Sequence, residues 1–219
     1  CVLSGVDLSV SGVHTRSFSA VRPPGHHAVH NRAMGFCLFG NVALAAHYAR
    51  KKHGLGRILI VDWDVHHGNG TQALVENEPD IHFVSMHQWP WYPGTGAADD
   101  RGPHGTIWNV PKPAGLPRSE YVQSCESAID AATTGCGPDL ILLSAGVGHR
   151  AGDPHGGVTM EGESGGARDL SPAGRVGRNG QRRSRAAHLR GAKQSGEGVA
   201  AHDGGGDTRA EQRVDERAA

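Results

Sequence analysis

The chain has 219 residues, with 22 basic and 22 acidic side chains and 15 histidines, which is enough for one domain with its own hydrophobic core. The balanced charge gives no electrostatic ground for binding nucleic acid or an anionic membrane, and no apolar run approaches the roughly 18 residues of a membrane span. Residues 1–13 lack a basic segment followed by a long apolar core, so no secretory signal is expected; Cys1, Cys37, Cys125 and Cys136 form no CxxC pair and no disulfide framework, which suits a reduced, cytoplasmic protein.

In chain order, the first distinctive segment is Arg22-Pro23-Pro24-Gly25-His26-His27. Two adjacent imidazoles behind a rigid Pro-Pro-Gly run suit proton transfer, because histidine titrates near neutrality; a plain surface loop is the alternative. Gly35-Phe36-Cys37 follows, where the Phe either lines a substrate slot or joins the core. Residues 41–53 read as a helix closed by Gly54. Ile58-Leu59-Ile60-Val61 is a continuous apolar run, as expected of a strand buried on both faces. Directly after it comes Asp62-x-Asp64-x-His66. Period-two alternation along an extended segment puts these three side chains on one side of the backbone. Asp oxygens and His nitrogens are good ligands for a catalytic zinc; a solvated acidic loop is the alternative. His67-Gly68-Asn69-Gly70-Thr71 supplies a tight turn and a cap for the next helix.

Ile81-His82-Phe83-Val84 is a second apolar run, followed by Ser85-Met86-His87. Trp89-Pro90-Trp91-Tyr92-Pro93-Gly94-Thr95-Gly96 reads as a stiff loop with an apolar face, either one wall of a narrow pocket or a cover for the core. Residues 119–134 form an amphipathic helix with Tyr121, Val122, Cys125, Ala128, Ile129 and Ala132 on one face. Leu140-Ile141-Leu142-Leu143 is a third strand, leading into Ser144-Ala145-Gly146.

Strands alternating with helices predict an α/β fold, an open parallel sheet with helices on both faces. Ligands bind beyond the carboxyl ends of the strands in such sheets. Segments 62–67, 85–87 and 144–146 are therefore expected to gather at one rim. The folded part is expected to span 1–161. Every aromatic Phe, Trp and Tyr lies at or before Tyr121, and residues 162–219 are rich in Gly, Arg and Ala. Such a segment buries too little apolar surface to offset its chain entropy, so it is expected to be disordered. The same bias is what an out-of-frame reading of a GC-rich gene gives, so a change of reading frame near residue 161 is the expected origin of the segment, with natural disorder as the rival account.

Arg22-Pro23-Pro24-Gly25-His26-His27-Ala28, then Gly35-Phe36-Cys37, then the segment from Asp62 to Thr71, then Ser85-Met86-His87 and Tyr92-Pro93-Gly94-Thr95-Gly96, in this order and at these intervals, resemble the histone deacetylase family. The Pro-Pro-Gly and the Asn of His-Gly-Asn-Gly look like its class II branch, which includes bacterial histone deacetylase-like amidohydrolases and acetylpolyamine amidohydrolase relatives. The resemblance runs from about Ser19 to about Glu161. It implies an arginase/deacetylase-like α/β fold, truncated here at both ends, and zinc-dependent hydrolysis of the acetyl amide of a lysine or of a small acetylated amine. No direct nucleic-acid or membrane partner is expected, in keeping with the balanced charge.

The resemblance further implies that Asp64 and His66 are zinc ligands and that His26 and His27 are the paired general acid/base residues. Asp62 would orient His26, and Asn69 would sit behind His27. Gly35, Phe36 and Tyr92 would bind the acyl-amine stem. A potassium ion would lie near Asp62, Asp64 and His66, with Ser85 and Met86 from the next strand end. Where the family has its third zinc ligand, an Asp, this chain has Gly148; His149 is a candidate substitute, and Asp153 matches another position. The family's Gly-Gly-Tyr, which brings an oxyanion tyrosine, is absent, since no tyrosine follows Tyr121. A catalytically dead deacetylase-fold binding protein, or a non-functional fragment, is the alternative to an active enzyme.

Overall fold

The computed structural model describes residues 1–146 and 185–191. In chain order these form α1 (Val2–Val10), β1 (Arg16–Val21), α2 (Asn41–His53), β2 (Ile58–Asp62), α3 (Asn69–Val75), β3 (Ile81–Gln88), β4 (Ile107–Lys112), α4 (Arg118–Cys136), β5 (Leu140–Ala145) and β6 (Arg185–Gly191). The strands make one sheet in the order β1-β6-β5-β2-β3-β4, and every pairing is parallel.

Strand side chains alternate between two apolar clusters, as period two requires. Ile58, Ile60, Ile81, Phe83, Leu140 and Leu142 pack with Val6 of α1, Val42, Ala45 and Ala49 of α2, and Val75 of α3. Leu59, Val61, Val84, Met86, Ile141 and Leu143 pack on the other face with Tyr121, Cys125, Ile129 and Ala132 of α4. A strand buried on both faces has no polar side, which is why its sequence reads as an unbroken apolar run. α2 ends as expected, with Gly54 left-handed at φ 65° and its N–H on the last carbonyls. The helix expected at 119–134 extends one residue earlier and two later, to Cys136, where Gly137 ends it.

Three features differ from expectation. β1 and β4 lack strong apolar runs, since Arg16–Val21 and Ile107–Lys112 each pair on one side only and keep partly exposed residues. α1 likewise gave no clear signal. The third difference is β6, which falls within residues 162–219, the stretch expected to be disordered. Arg185–Gly191 instead lies between β1 and β5, in register with both, Ala187 opposite Ser17 and Leu142. Apolar content misjudges such a strand because two parallel neighbours satisfy its backbone groups whatever its side chains are.

From β2 the chain winds through β3 to β4; it then returns to β5, beside β2, and continues away to β6. The strand order therefore reverses between β2 and β5, and a crevice forms where a sheet so reverses. Asp62 stands opposite Ser85 of β3 and Ser144 of β5, so the three expected strand ends do meet at one rim. The N–H of Trp63 reaches the Ser144 carbonyl at 3.2 Å and ties the two central ends together.

Candidate active site

The Asp62–His66 segment is not the solvated loop that stood as its alternative: Asp62, Asp64 and His66 keep 1%, 4% and 7% of their surface. Nor does it stay extended, as the alternation implied, because the strand ends at Asp62. Asp62 Oδ1 accepts the N–H of Asp64, and Asp64 Oδ1 accepts the N–H of His66, both at 2.9 Å. Each aspartate thus turns the backbone two residues on, as Asp side chains do. Asp64 Oδ1 also lies 2.9 Å from His66 Nδ1. One carboxylate and one imidazole are thereby held side by side.

The two histidines sit against this segment with ring centroids 3.9 Å apart. His26 Nδ1 lies 2.9 Å from Asp62 Oδ2; a carboxylate only accepts, so this nitrogen carries the proton. His27 Nδ1 lies 2.8 Å from Asn69 Oδ1, while the Asn69 amide nitrogen donates to Met34 Sδ at 3.6 Å. With its NH2 so used, Asn69 offers its oxygen to His27, whose Nδ1 is then the donor. His27 Nε2 is left as the basic nitrogen.

The stretch 67–71 does not cap α3 through a side chain, as its sequence suggested; Gly68 is the N-cap. The first N–H groups of a helix lack intrahelical partners. Here those of Gly70 and Thr71 donate to the His26 carbonyl at 2.9 and 3.1 Å. A Cβ on Gly70 would overlap the Ala28 carbonyl. Glycine is therefore what lets α3 dock on the histidine pair and present Asn69 to His27.

Tyr92, 44% exposed, stands edge-on to both His27 and His66, at 5.1 and 5.9 Å between centroids. Gly35 packs directly on the His27 ring. Next to it Phe36 is 74% exposed, so it is not core, and holds φ at 63°. A left-handed Phe costs on the order of 1 kcal/mol, and such strain tends to gather at functional sites. Tyr92 thus stands beside His27, and Phe36 follows the glycine that packs on the same ring. Behind His26 and Asp64, a cavity of about 30 Å³ is closed by Pro24, Val42 and Ser144, room for about one water. A wider concavity, about 980 Å³, lies elsewhere, between α1 and α2 around Leu3, Leu44, Tyr48 and Lys52, and holds none of these groups.

Ser85 is fully buried; its Oγ accepts the Gly68 N–H at 3.3 Å and lies 3.1 Å from His87 Nδ1. The Met86 side chain belongs to the apolar cluster under α4, which leaves only its backbone oxygen for any cation. Sequence reasoning quoted His67 and His87 within motifs but gave them no role. They form a second buried imidazole pair, centroids 4.8 Å apart. Burial pushes the His67 pKa down to about 4 and lowers that of His87. Their partners Thr95 and Gly96 lie far along the chain, so no local pattern could reveal the pairing.

Among the described residues no three His, Cys, Asp or Glu side chains converge as a metal-holding group. Gly148, His149 and Asp153 lie outside the described residues. No described helix is long and apolar enough to cross a membrane.

Residues 1–169 match the family model described as histone deacetylase domain. The chain is 49% identical over 152 residues to an uncharacterized protein of Synechocystis, covering 69% of this chain and 50% of that protein. It is 38% identical over 157 residues to the histone deacetylase-like amidohydrolase of Pseudomonas aeruginosa, covering 69% and 41%. Among solved structures, the acetylpolyamine aminohydrolase of Burkholderia pseudomallei superposes with a TM-score of 0.73 at 29% identity, over 86% of this chain and 54% of that one. The chain thus spans half or less of the length of these two curated relatives.

Proposed function

Because the chain belongs to the histone deacetylase family, we propose that its site binds an acetylated amine, in a lysine side chain or a small polyamine, and hydrolyses the acetyl amide with zinc as the metal. The observation that carries this reading is the His26–His27 pair, each Nδ1 fixed by its own partner, set beside Asp64 and His66 under Tyr92.

Asp64 and His66 are the residues that would hold zinc, and a carboxylate–imidazole pair is a normal part of such a set. When bound, zinc would polarise the acetyl carbonyl and acidify water. The fit is partial, because a catalytic zinc normally keeps three protein ligands and position 148 is a glycine. Potassium beside Asp62 and Ser85 rests on the family resemblance alone.

The chain's own residues supply the proton handling. His27 Nε2 accepts a proton from the water that attacks the carbonyl carbon, since Nδ1 is committed to Asn69. The positive charge so formed lies beside His26, whose own Nδ1 is held by the Asp62 carboxylate. As the C–N bond breaks, the histidine pair returns a proton to the leaving amine. Phe36 and Tyr92 enclose the apolar stem and exclude water from its sides. The buried thiols of Cys37, Cys125 and Cys136 suit a reducing compartment such as the cytoplasm.

The test is hydrolysis of a fluorogenic acetyl-lysine peptide and of an acetylated polyamine by the wild type, His27→Ala and Asp64→Ala. Loss of a general base costs about two to four orders of magnitude. Equal rates in all three proteins would assign any turnover to another site. A second reading has its own support in Gly148 and in the absence of tyrosine beyond Tyr121: a deacetylase fold that binds acyl-amines without turnover. It predicts peptide binding by a chain that releases no acetate.

A further inference from the structure

The loop that carries Tyr92 is held by the second histidine pair through hydrogen bonds whose direction can be read from their ends. Gln72 donates its amide nitrogen to Asp100 Oδ2 at 2.7 Å, and a carboxylate only accepts. The Gln72 oxygen must then face His67 Nε2, 3.0 Å away, which makes that nitrogen a donor. Asn109 Nδ2 donates to the same oxygen at 3.0 Å and agrees with this orientation. His67 Nδ1 is therefore bare and accepts the Thr95 hydroxyl at 2.8 Å.

His87 is fixed from the other side. Its Nε2 lies 3.0 Å from the Gly96 carbonyl, which only accepts. Its Nδ1 is then the acceptor for the Ser85 hydroxyl, which in turn accepts the Gly68 N–H. Both imidazoles are neutral with the proton on Nε2, and both are nearly inaccessible. Gly96 fits between them because it has no side chain. With φ at 95°, a Cβ there would lie 2.6 Å from His87 Nε2 and 2.7 Å from the His67 ring.

We propose that His67 and His87 are positioning residues, a two-sided clamp that grips Thr95 and Gly96 and so sets Tyr92 edge-on to His27. His67 stands next to the candidate ligand His66, and His87 two residues beyond Ser85, so one clamp ties the slot wall to both strand ends. The role rests on reading Tyr92 as a slot wall. Its test reads loop geometry rather than turnover, so a failure of either reading is distinguishable.

Thr95 is exposed, and its substitution need not disturb the core. Thr95→Val removes the hydroxyl at nearly constant shape, and Thr95→Ser restores it. Two readouts are compared: amide exchange over residues 91–97 by mass spectrometry, and the His27 ring-proton shifts, with Tyr92→Leu marking the values without the tyrosine ring. Thr95→Val is expected to speed loop exchange roughly tenfold, the effect of one hydrogen bond. It should also move the His27 shifts toward those of Tyr92→Leu, while Thr95→Ser matches the wild type in both. Gly96→Ala should act as Thr95→Val does, only more strongly; if it fails to fold, the Thr95 pair still decides. Wild-type exchange and His27 shifts in Thr95→Val would overturn the clamp, as would equal effects of Val and Ser.

Discussion

His27 and Asn69 are joined by a 2.8 Å contact between Nδ1 and Oδ1, whereas the adjacent His26 meets a carboxylate, Asp62, at 2.9 Å. A charge formed on His26 faces an anion, while one formed on His27 faces an amide oxygen. The two imidazoles are thus chemically unlike although adjacent in sequence. In the proposed reaction His27 is the base, its Nδ1 held by a neutral amide oxygen rather than by a carboxylate.

Asn69→Leu is expected to lower kcat/KM about ten- to a hundredfold, since an unsatisfied buried donor costs about 1–3 kcal/mol. Asn69→Asp keeps an acceptor at Nδ1 and should retain far more activity. Steady-state kinetics on the acetyl-lysine peptide measure both, and equal losses would remove Asn69 from the proton path.

Zinc is expected to be held weakly, by Asp64 and His66 without the aspartate that position 148 lacks. After dialysis against a mild chelator, elemental analysis should find well under one zinc per chain. Full retention would mean that another residue completes the set, and His149→Ala would then be the variant to measure.

Stability should fall on mild acidification. His67 has a folded pKa of about 4 against an ordinary 6.5, chiefly because burial penalises its charged form. A depressed histidine favours the fold fully above pH 6.5, where it is neutral in both states. That contribution is lost as pH falls from 6.5 toward 4, where only the unfolded chain takes up the proton. Between pH 7 and 5 the loss from this group is on the order of 2 kcal/mol, and the buried His87 adds to it in the same direction. Denaturant unfolding at the two pH values reads the difference, and an unchanged midpoint would exclude a buried neutral His67.

β6 should be protected from exchange. It is flanked by β1 and β5, so amides over 186–191 should exchange far more slowly than those at the edge strand β4. Equal rates would place this segment outside the sheet and restore the expectation of a disordered tail.

The sequence by itself determined the sheet's centre and which polar residues stand at its ends. Ile58–Asp62, Ile81–Gln88 and Leu140–Ala145 were legible because strands covered on both faces must be apolar throughout. The ligand-type residues Asp62, Asp64 and His66 followed from their place just past such a strand. Edge strands β1 and β4 carried no comparable demand and stayed silent. Only the tertiary structure brought β6 into the sheet, because its place depends on backbone pairing with neighbours distant in sequence. The family resemblance already implied His26 with Asp62 and His27 with Asn69; the tertiary structure gives the atoms of those contacts, and it alone matched the buried His67 with Thr95. Those matches fix which nitrogen bears each proton, and a hydrogen bond's direction is set by the partner across the fold rather than by the neighbours along the chain.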